Sequence, residues 1–102
     1  IDTPYIESID YDASKAGLIS LSNNLANYLS PYVRVNTVCP GWINTDINKD
    51  LDKDFVAKGI DKILLGRFGE PEEVSHLIKF LVSDEAQYIN NSIIRIDGGK
   101  RC

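Results

Sequence analysis

Tyr11 and Lys15 are four residues apart in the run Tyr11-Asp12-Ala13-Ser14-Lys15-Ala16-Gly17. On a helix that spacing puts a phenol and an ammonium one turn apart on one face, where both can serve one site. A free tyrosine titrates near pH ~10 and holds its proton too tightly to exchange it readily at neutral pH, but a neighbouring positive charge stabilises the phenolate and lowers that pKa. So placed, Tyr11 is a candidate general acid or base. The same pair on a solvated face is an exposed tyrosine beside an exposed lysine, and the spacing alone does not choose between the two.

The elements that must carry this pair follow from breakers and periodicity. Residues 1–9, with Pro4, read as a loop, Asp10 as an N-cap, and the helix then runs until Ser30-Pro31 stops it. Leu18, Leu21, Leu25 and Leu29 form an apolar stripe suited to a packed interface. The small Ala13, Ser14, Ala16 and Gly17 admit a close neighbour, whether a flat ligand or another element packing tightly. The β-branched, Pro-bounded run 33–39 predicts a strand. Strands separated by helices point to a parallel sheet covered on both faces, and ligands of such sheets bind beyond the carboxyl ends of the strands. Pro40-Gly41-Trp42-Ile43-Asn44-Thr45-Asp46 lies at that end, although a Pro-Gly turn by itself needs no ligand.

Residues 47–62 predict a short helix through Leu51, Phe55, Val56 and Ile60, either a lid over that loop or a solvated helix. Gly66-Arg67-Phe68-Gly69 is a turn, and Glu70-Pro71-Glu72-Glu73 opens a further helix with Pro in the first turn and carboxylates at the positive end of the dipole. Val74, Leu77, Ile78 and Leu81 give that helix a core stripe with Phe80 beside it. His76 falls off the stripe and reads as a surface residue; Arg67 reads as an anion ligand or, more simply, one half of a surface pair. Ser83-Asp84-Glu85 ends the helix, Asn90-Asn91 marks a turn, and 93–96 is a second strand closed by Asp97-Gly98-Gly99. A right-handed crossover between two parallel neighbours accounts for this order.

The 102 residues are 43% hydrophobic and 25% charged, with a net charge of -4, which is ordinary globular composition at the size of one small domain. The charge leaves no basic footprint for nucleic acid or an anionic membrane. No apolar run approaches the ~20 residues of a membrane span. Cys39, Cys102 and His76 stand in no metal-binding spacing, so no metal is expected, and two dispersed cysteines fit free thiols in a reducing cytoplasm. The chain contains no Met and opens on polar, Pro-containing sequence, which reads as part of a larger protein.

Together these landmarks resemble the C-terminal half of a short-chain dehydrogenase/reductase, in particular the branch that includes 3-oxoacyl-(acyl-carrier-protein) reductases. The resemblance rests on Tyr11-Asp12-Ala13-Ser14-Lys15 as the YxxSK element, Val35-Asn36 leading into Pro40-Gly41-Trp42-Ile43-Asn44-Thr45 as the PGxIxT loop, Arg67-Phe68-Gly69-Glu70-Pro71-Glu72-Glu73-Val74, and Ile96-Asp97-Gly98-Gly99. It implies one partial α/β domain over 1–102, the C-terminal part of a Rossmann-like doubly wound parallel sheet, with about two strands and three helices. It further implies hydride transfer between NAD or NADP and a small-molecule carbonyl or secondary alcohol. In that scheme Tyr11 exchanges the proton, and Lys15 lowers its pKa and binds the nicotinamide ribose. Pro40, Gly41, Ile43 and Thr45 hold the nicotinamide end, and the enzyme is a cytoplasmic homo-oligomer, a dimer or tetramer.

The resemblance also implies what these residues lack. The Gly-rich turn that cradles the pyrophosphate, the residue that selects NAD or NADP, and the family's catalytic serine and asparagine would all lie before Ile1. Asn91 replaces a frequent glycine, and Asn tolerates left-handed geometry. The remaining alternative is a fragment of this fold that serves assembly or cofactor-dependent regulation without chemistry. With one partner strand for 33–39, an apolar edge stays open, and the isolated 102 residues are expected to be poorly soluble or to dimerise through the leucine stripe.

Overall fold

The computed structural model describes the backbone of residues 5–46 and 50–99, and side chains from Ala13 onward within these. In chain order the regular elements are α1 (Tyr5–Leu29), β1 (Thr37–Pro40), α2 (Lys53–Asp61), α3 (Pro71–Leu81), a 3-10 turn at Asp84–Ala86 and β2 (Ile93–Ile96). The strands pair as a two-stranded parallel sheet. Thr37 N–H donates to Ser92 O at 2.8 Å and Gly41 N–H to Ile96 O at 3.0 Å, so the register is constant from end to end. The expected α/β class, with two strands and three α-helices, is what the described residues form.

The chain divides into two compact units, Ile1–Thr37 with Gln87–Ile93 and Val38–Ala86 with Ile94–Cys102. In the first, α1 begins at Tyr5 rather than after Asp10. The expected loop over 1–9 is therefore corrected for residues 5–9, and Asp10 is no N-cap: the segment contains neither Pro nor Gly, so nothing in it stops the helix from extending toward Pro4. The helix ends at Leu29, ahead of Pro31 as expected. Its leucine stripe faces solvent in this chain: Leu21 is 55% and Leu25 40% exposed, and Ala26 at 2% is the buried position.

The strand predicted over 33–39 is shorter and shifted, running from Thr37 to Pro40. Residues 33–36 are outside the strand: beside the backbone bonds Val33 N–H to Leu29 O and Asn91 N–H to Val35 O, at 3.1 and 2.8 Å, they are bonded through side chains. Val35 N–H donates to Asn90 Oδ1 at 2.9 Å, Asn36 Nδ2 to Ile89 O at 3.0 Å, and Ser92 N–H to Asn36 Oδ1 at 3.0 Å. Asn amides thus stand in for backbone partners and end the regular pairing. Asn91 has φ 56°, the left-handed geometry expected of the residue that replaces glycine. It also ties α1 down, its Nδ2 donating to Asn23 Oδ1 at 2.8 Å.

In the second unit Ile63, Phe68, Leu81 and Ala86 are buried. Asp52 caps α2, accepting from Phe55 N–H at 3.3 Å. None of its residues is buried, as expected of a weakly anchored helix. Of the stripe predicted for α3, Leu81 is buried, Val74 and Leu77 are half-buried, and Ile78 and Phe80 are exposed. His76 is exposed, as expected. Ser83 Oγ donates to Phe80 O at 2.6 Å and accepts from Glu85 N–H at 3.3 Å, which closes α3 into the 3-10 turn. The predicted β2 spans 93–96 as read.

Candidate functional site

An uninterrupted helix runs through Tyr11 and Lys15, so the four-residue spacing places them on one face. Lys15 is exposed; the Tyr11 side chain lies outside the described residues. Around Lys15 the helix surface is open. Ala13, Ser14, Ala16 and Gly17 are exposed, and a methyl group built on Gly17 would meet nothing within 4 Å. No described element of this chain packs on these small residues, which leaves the close approach they permit open among the described residues.

The loop residues Pro40, Gly41, Ile43 and Thr45 form one continuous segment leaving β1 in the second unit, whereas Tyr11 and Lys15 belong to the first. Gly41 has a structural reason for its identity. A Cβ there would lie 2.6 Å from Asp97 Cβ and 2.9 Å from Asp97 Cα, so the backbones approach too closely for any side chain. Ile43 forms a parallel bridge with Gly69. Gly69 N–H donates to Trp42 O at 2.9 Å and Asn44 N–H donates to Gly69 O at 2.8 Å. Trp42 stacks on Phe68 with ring centroids 5.5 Å apart and meets Phe55 edge-on at 5.6 Å, which fastens the loop to the buried Phe68 and to α2.

Arg67 resolves as one half of a pair. Its two terminal nitrogens donate to the Glu73 carboxylate at 2.8 and 3.0 Å, and Nη1 also reaches Phe68 O at 3.1 Å. Glu73 accepts in addition from Glu70 N–H at 2.9 Å, the returning bond of a capping box at the start of α3. The Arg67 hydrogen bonds, then the Glu70 N–H, hold the Glu73 carboxyl down to about 2, and the hydrogen bonds to Glu73, then its charge, raise the Arg67 guanidinium above its ordinary value. Sequence reasoning missed Asn44, whose Nδ2 donates to Glu70 Oε2 at 2.8 Å. The partner lies 26 residues away, and no local pattern announces it. The Glu70-to-Glu73 spacing did carry a capping-box signal.

A hollow of about 100 Å³ opens beside Trp42, Ile43, Gly69, Arg67, Asp97 and Gly98. Small-molecule sites span roughly 300–1,000 Å³, so this hollow does not by itself hold a dinucleotide. Asp97-Gly98-Gly99 is a tight turn: Gly99 N–H donates to Asp97 Oδ1 at 2.9 Å, and Gly98 and Gly99 have φ of 71° and 84°. Both glycines also approach other segments closely, since a Cβ would come within 2.7 Å of Ile63 at Gly98 and 2.8 Å of Leu64 at Gly99. Cys39 is a half-buried free thiol, and Cys102 lies outside the described residues. Among the described residues no group of His, Cys, Asp and Glu is placed to hold a metal ion, and no helix is long and apolar enough to cross a membrane.

The sequence matches the family described as enoyl-(acyl carrier protein) reductase over residues 4–101. It is 42% identical over 98 residues to the 3-oxoacyl-[acyl-carrier-protein] reductase FabG of Aquifex aeolicus, covering 95% of this chain and 40% of that protein. It is 47% identical over 90 residues to carbonyl reductase family member 4 of Xenopus laevis, covering 87% of this chain and 36% of that one. Among solved structures, a short-chain dehydrogenase/reductase of the glucose/ribitol dehydrogenase type from Brucella melitensis superposes with a TM-score of 0.78 at 34% identity, over 87% of this chain and 36% of the other. A short-chain dehydrogenase/reductase mutant from Serratia marcescens superposes with a TM-score of 0.80 at 32% identity, with the same coverage. The chain thus spans well under half the length of the relatives it matches.

Proposed function

The chain belongs to the short-chain dehydrogenase/reductase family, and on that premise we propose that residues 1–102 are the C-terminal part, one partial domain, of an NAD(P)-dependent oxidoreductase. Its reaction interconverts a small-molecule carbonyl and a secondary alcohol. Tyr11 is the general acid/base: in reduction it gives its phenolic proton to the carbonyl oxygen, and in oxidation the phenolate takes the proton from the alcohol. The Lys15 ammonium, one turn along the same helix, stabilises that phenolate and brings the proton within reach at neutral pH. A nicotinamide cofactor, NAD or NADP, supplies or accepts the hydride. Pro40, Gly41, Ile43 and Thr45 hold its nicotinamide end, and Lys15 its ribose.

The observation that carries this reading is the unbroken helix, which sets Tyr11 and Lys15 one turn apart on one face. An assembly fragment has no use for a phenol and an ammonium paired on one helix face. The hollow of about 100 Å³ and the lack of a Gly-rich phosphate turn in this sequence both suit a segment that contributes one end of a cofactor site, with upstream residues completing it. The exposed leucines of α1 support a homo-oligomer, a dimer or tetramer, and a cytoplasmic enzyme keeps Cys39 as a thiol.

Tyr11→Phe in the full-length protein removes one hydroxyl and tests the mechanism. Turnover is expected to fall by about 10²–10⁴-fold while the cofactor still binds, read as quenching or transfer of nicotinamide fluorescence. Undiminished turnover sinks the assignment.

A further inference from the structure

The loop proposed to hold the nicotinamide end is tied to a helix start by a continuous run of hydrogen bonds. Gly69 flanks Ile43 through the Trp42 carbonyl and the Asn44 amide, at 2.9 and 2.8 Å. Gly69 takes part also by lacking a side chain, since a Cβ there would sit 3.0 Å from Ile43 Cδ1. The Asn44 side chain repeats the link one residue further on, donating to Glu70 Oε2 at 2.8 Å. Glu70 is the N-cap of α3, and its own N–H is held by Glu73 Oε1 at 2.9 Å. Arg67 grips the same Glu73 carboxylate with two bonds. On the other side of the loop, Trp42 is stacked on the buried Phe68.

We propose that the Asn44–Glu70 hydrogen bond is a positioning device that fixes residues 43–45 against the start of α3 and so sets the affinity of this loop for the nicotinamide end of the cofactor. The inference rests on the oxidoreductase reading above. Asn44 stands between Ile43 and Thr45, the two residues given to the cofactor, so a shift of its side chain moves both neighbours through the backbone. A neutral amide on an ionised carboxylate is stronger than a neutral pair, but both residues are exposed, so the tether tunes the loop without deciding whether the protein folds. Asn44 and Glu70 act through Ile43 and Thr45 and are positioning residues.

The test is a set of variants of the full-length protein. Asn44→Ala is expected to raise the cofactor KM about five-fold with kcat within about two-fold of wild type. Asn44→Asp sets a second carboxylate against Glu70 and is expected to raise KM about ten-fold. Adding Glu70→Gln to Asn44→Asp restores an amide–carboxylate pair with donor and acceptor exchanged, and KM should return to within about two-fold of wild type. Rescue of this kind is not expected if Glu70 serves only to cap α3.

Trp42 gives a readout that needs no cofactor. Its ¹⁹F resonance in 5-fluorotryptophan-labelled protein, assigned by its loss in Trp42→Phe, should shift in Asn44→Ala. An unmoved KM in Asn44→Ala, or no recovery in the double variant, overturns the inference while leaving the oxidoreductase reading in place. A wild-type protein that binds no nicotinamide cofactor sinks that reading and the cofactor half of the inference with it, and the ¹⁹F shift still judges the tether.

Discussion

In the first unit, the 25-residue α1 has Ala26 as its buried apolar residue among those described, while Leu18, Leu21 and Leu25 face outward. In the second unit the helices are shorter, yet Ile63, Phe68, Leu81 and Ala86 are buried, with three aromatic rings in contact and an arginine–carboxylate fork at the start of α3. The helix that carries the candidate chemistry is therefore thinly supported by apolar burial among its described residues. Helical propensity and asparagine side-chain bonds hold it within this chain, whereas stacking of Trp42 on the buried Phe68 anchors the loop proposed to grip the cofactor. Most helix stability in proteins comes from packing an apolar face, and the leucines that would supply that face on α1 are exposed in this chain.

The largest effect that sharpens this contrast belongs to Phe68. Phe68→Ala removes a ring that is 6% exposed and stacked on Trp42, and it should destabilise the protein by about 3 kcal/mol, read as a lower urea midpoint. A loss below about 1 kcal/mol would mean that the second unit is not anchored there. On α1 the corresponding change is Leu21→Lys with Leu25→Lys. If the stripe is covered by a second copy, sedimentation should move to a smaller species. If solvent is its only neighbour, sedimentation stays as it was and stability changes by no more than about 0.5 kcal/mol, which would abolish the contrast as a statement about assembly.

The smallest effect is at the exposed fork. Glu73 is held at about 2 against an ordinary 4.5, so its contribution to stability is complete above pH 4.5 and is lost as pH falls through about 2. In Arg67→Ala the Glu73 carboxyl should titrate higher, yet still below its ordinary value, because the Glu70 N–H remains. The acid limb of the stability curve should flatten accordingly. Carbon-detected NMR titration of the carboxyl checks this, and a titration unchanged from wild type would show that Arg67 is not the cause.

Much of the architecture was legible in local sequence because its causes are local. Pro31 stops α1, Pro71 and the acidic first turn open α3, and Asp97-Gly98-Gly99 closes β2 through an aspartate side chain two residues from the amide it accepts. Asn91 takes left-handed geometry for a reason contained in its own side chain. The start of α1 was misplaced because Asp10 is a good cap wherever a helix happens to begin, and propensity carried the helix past it to Tyr5. The strand was misread because residues 33–36 have strand-like composition, while Val35 N–H bonds the Asn90 side chain and the Asn36 side chain bonds the backbone of Ile89 and Ser92, all more than 50 positions away.

The sequence by itself determined the types and order of the elements, the shared face of Tyr11 and Lys15, and the family. Each depends on residue type and short spacing. Only the tertiary structure decided that Gly41 is a glycine because a Cβ there would lie 2.9 Å from Asp97 Cα, that Arg67 is occupied by Glu73, and that Asn44 is tethered to Glu70. It also decided that the leucines of α1 are left open. Such facts follow from which distant segments come together, and no local pattern in the chain encodes them because the energy of each is shared between partners far apart in sequence.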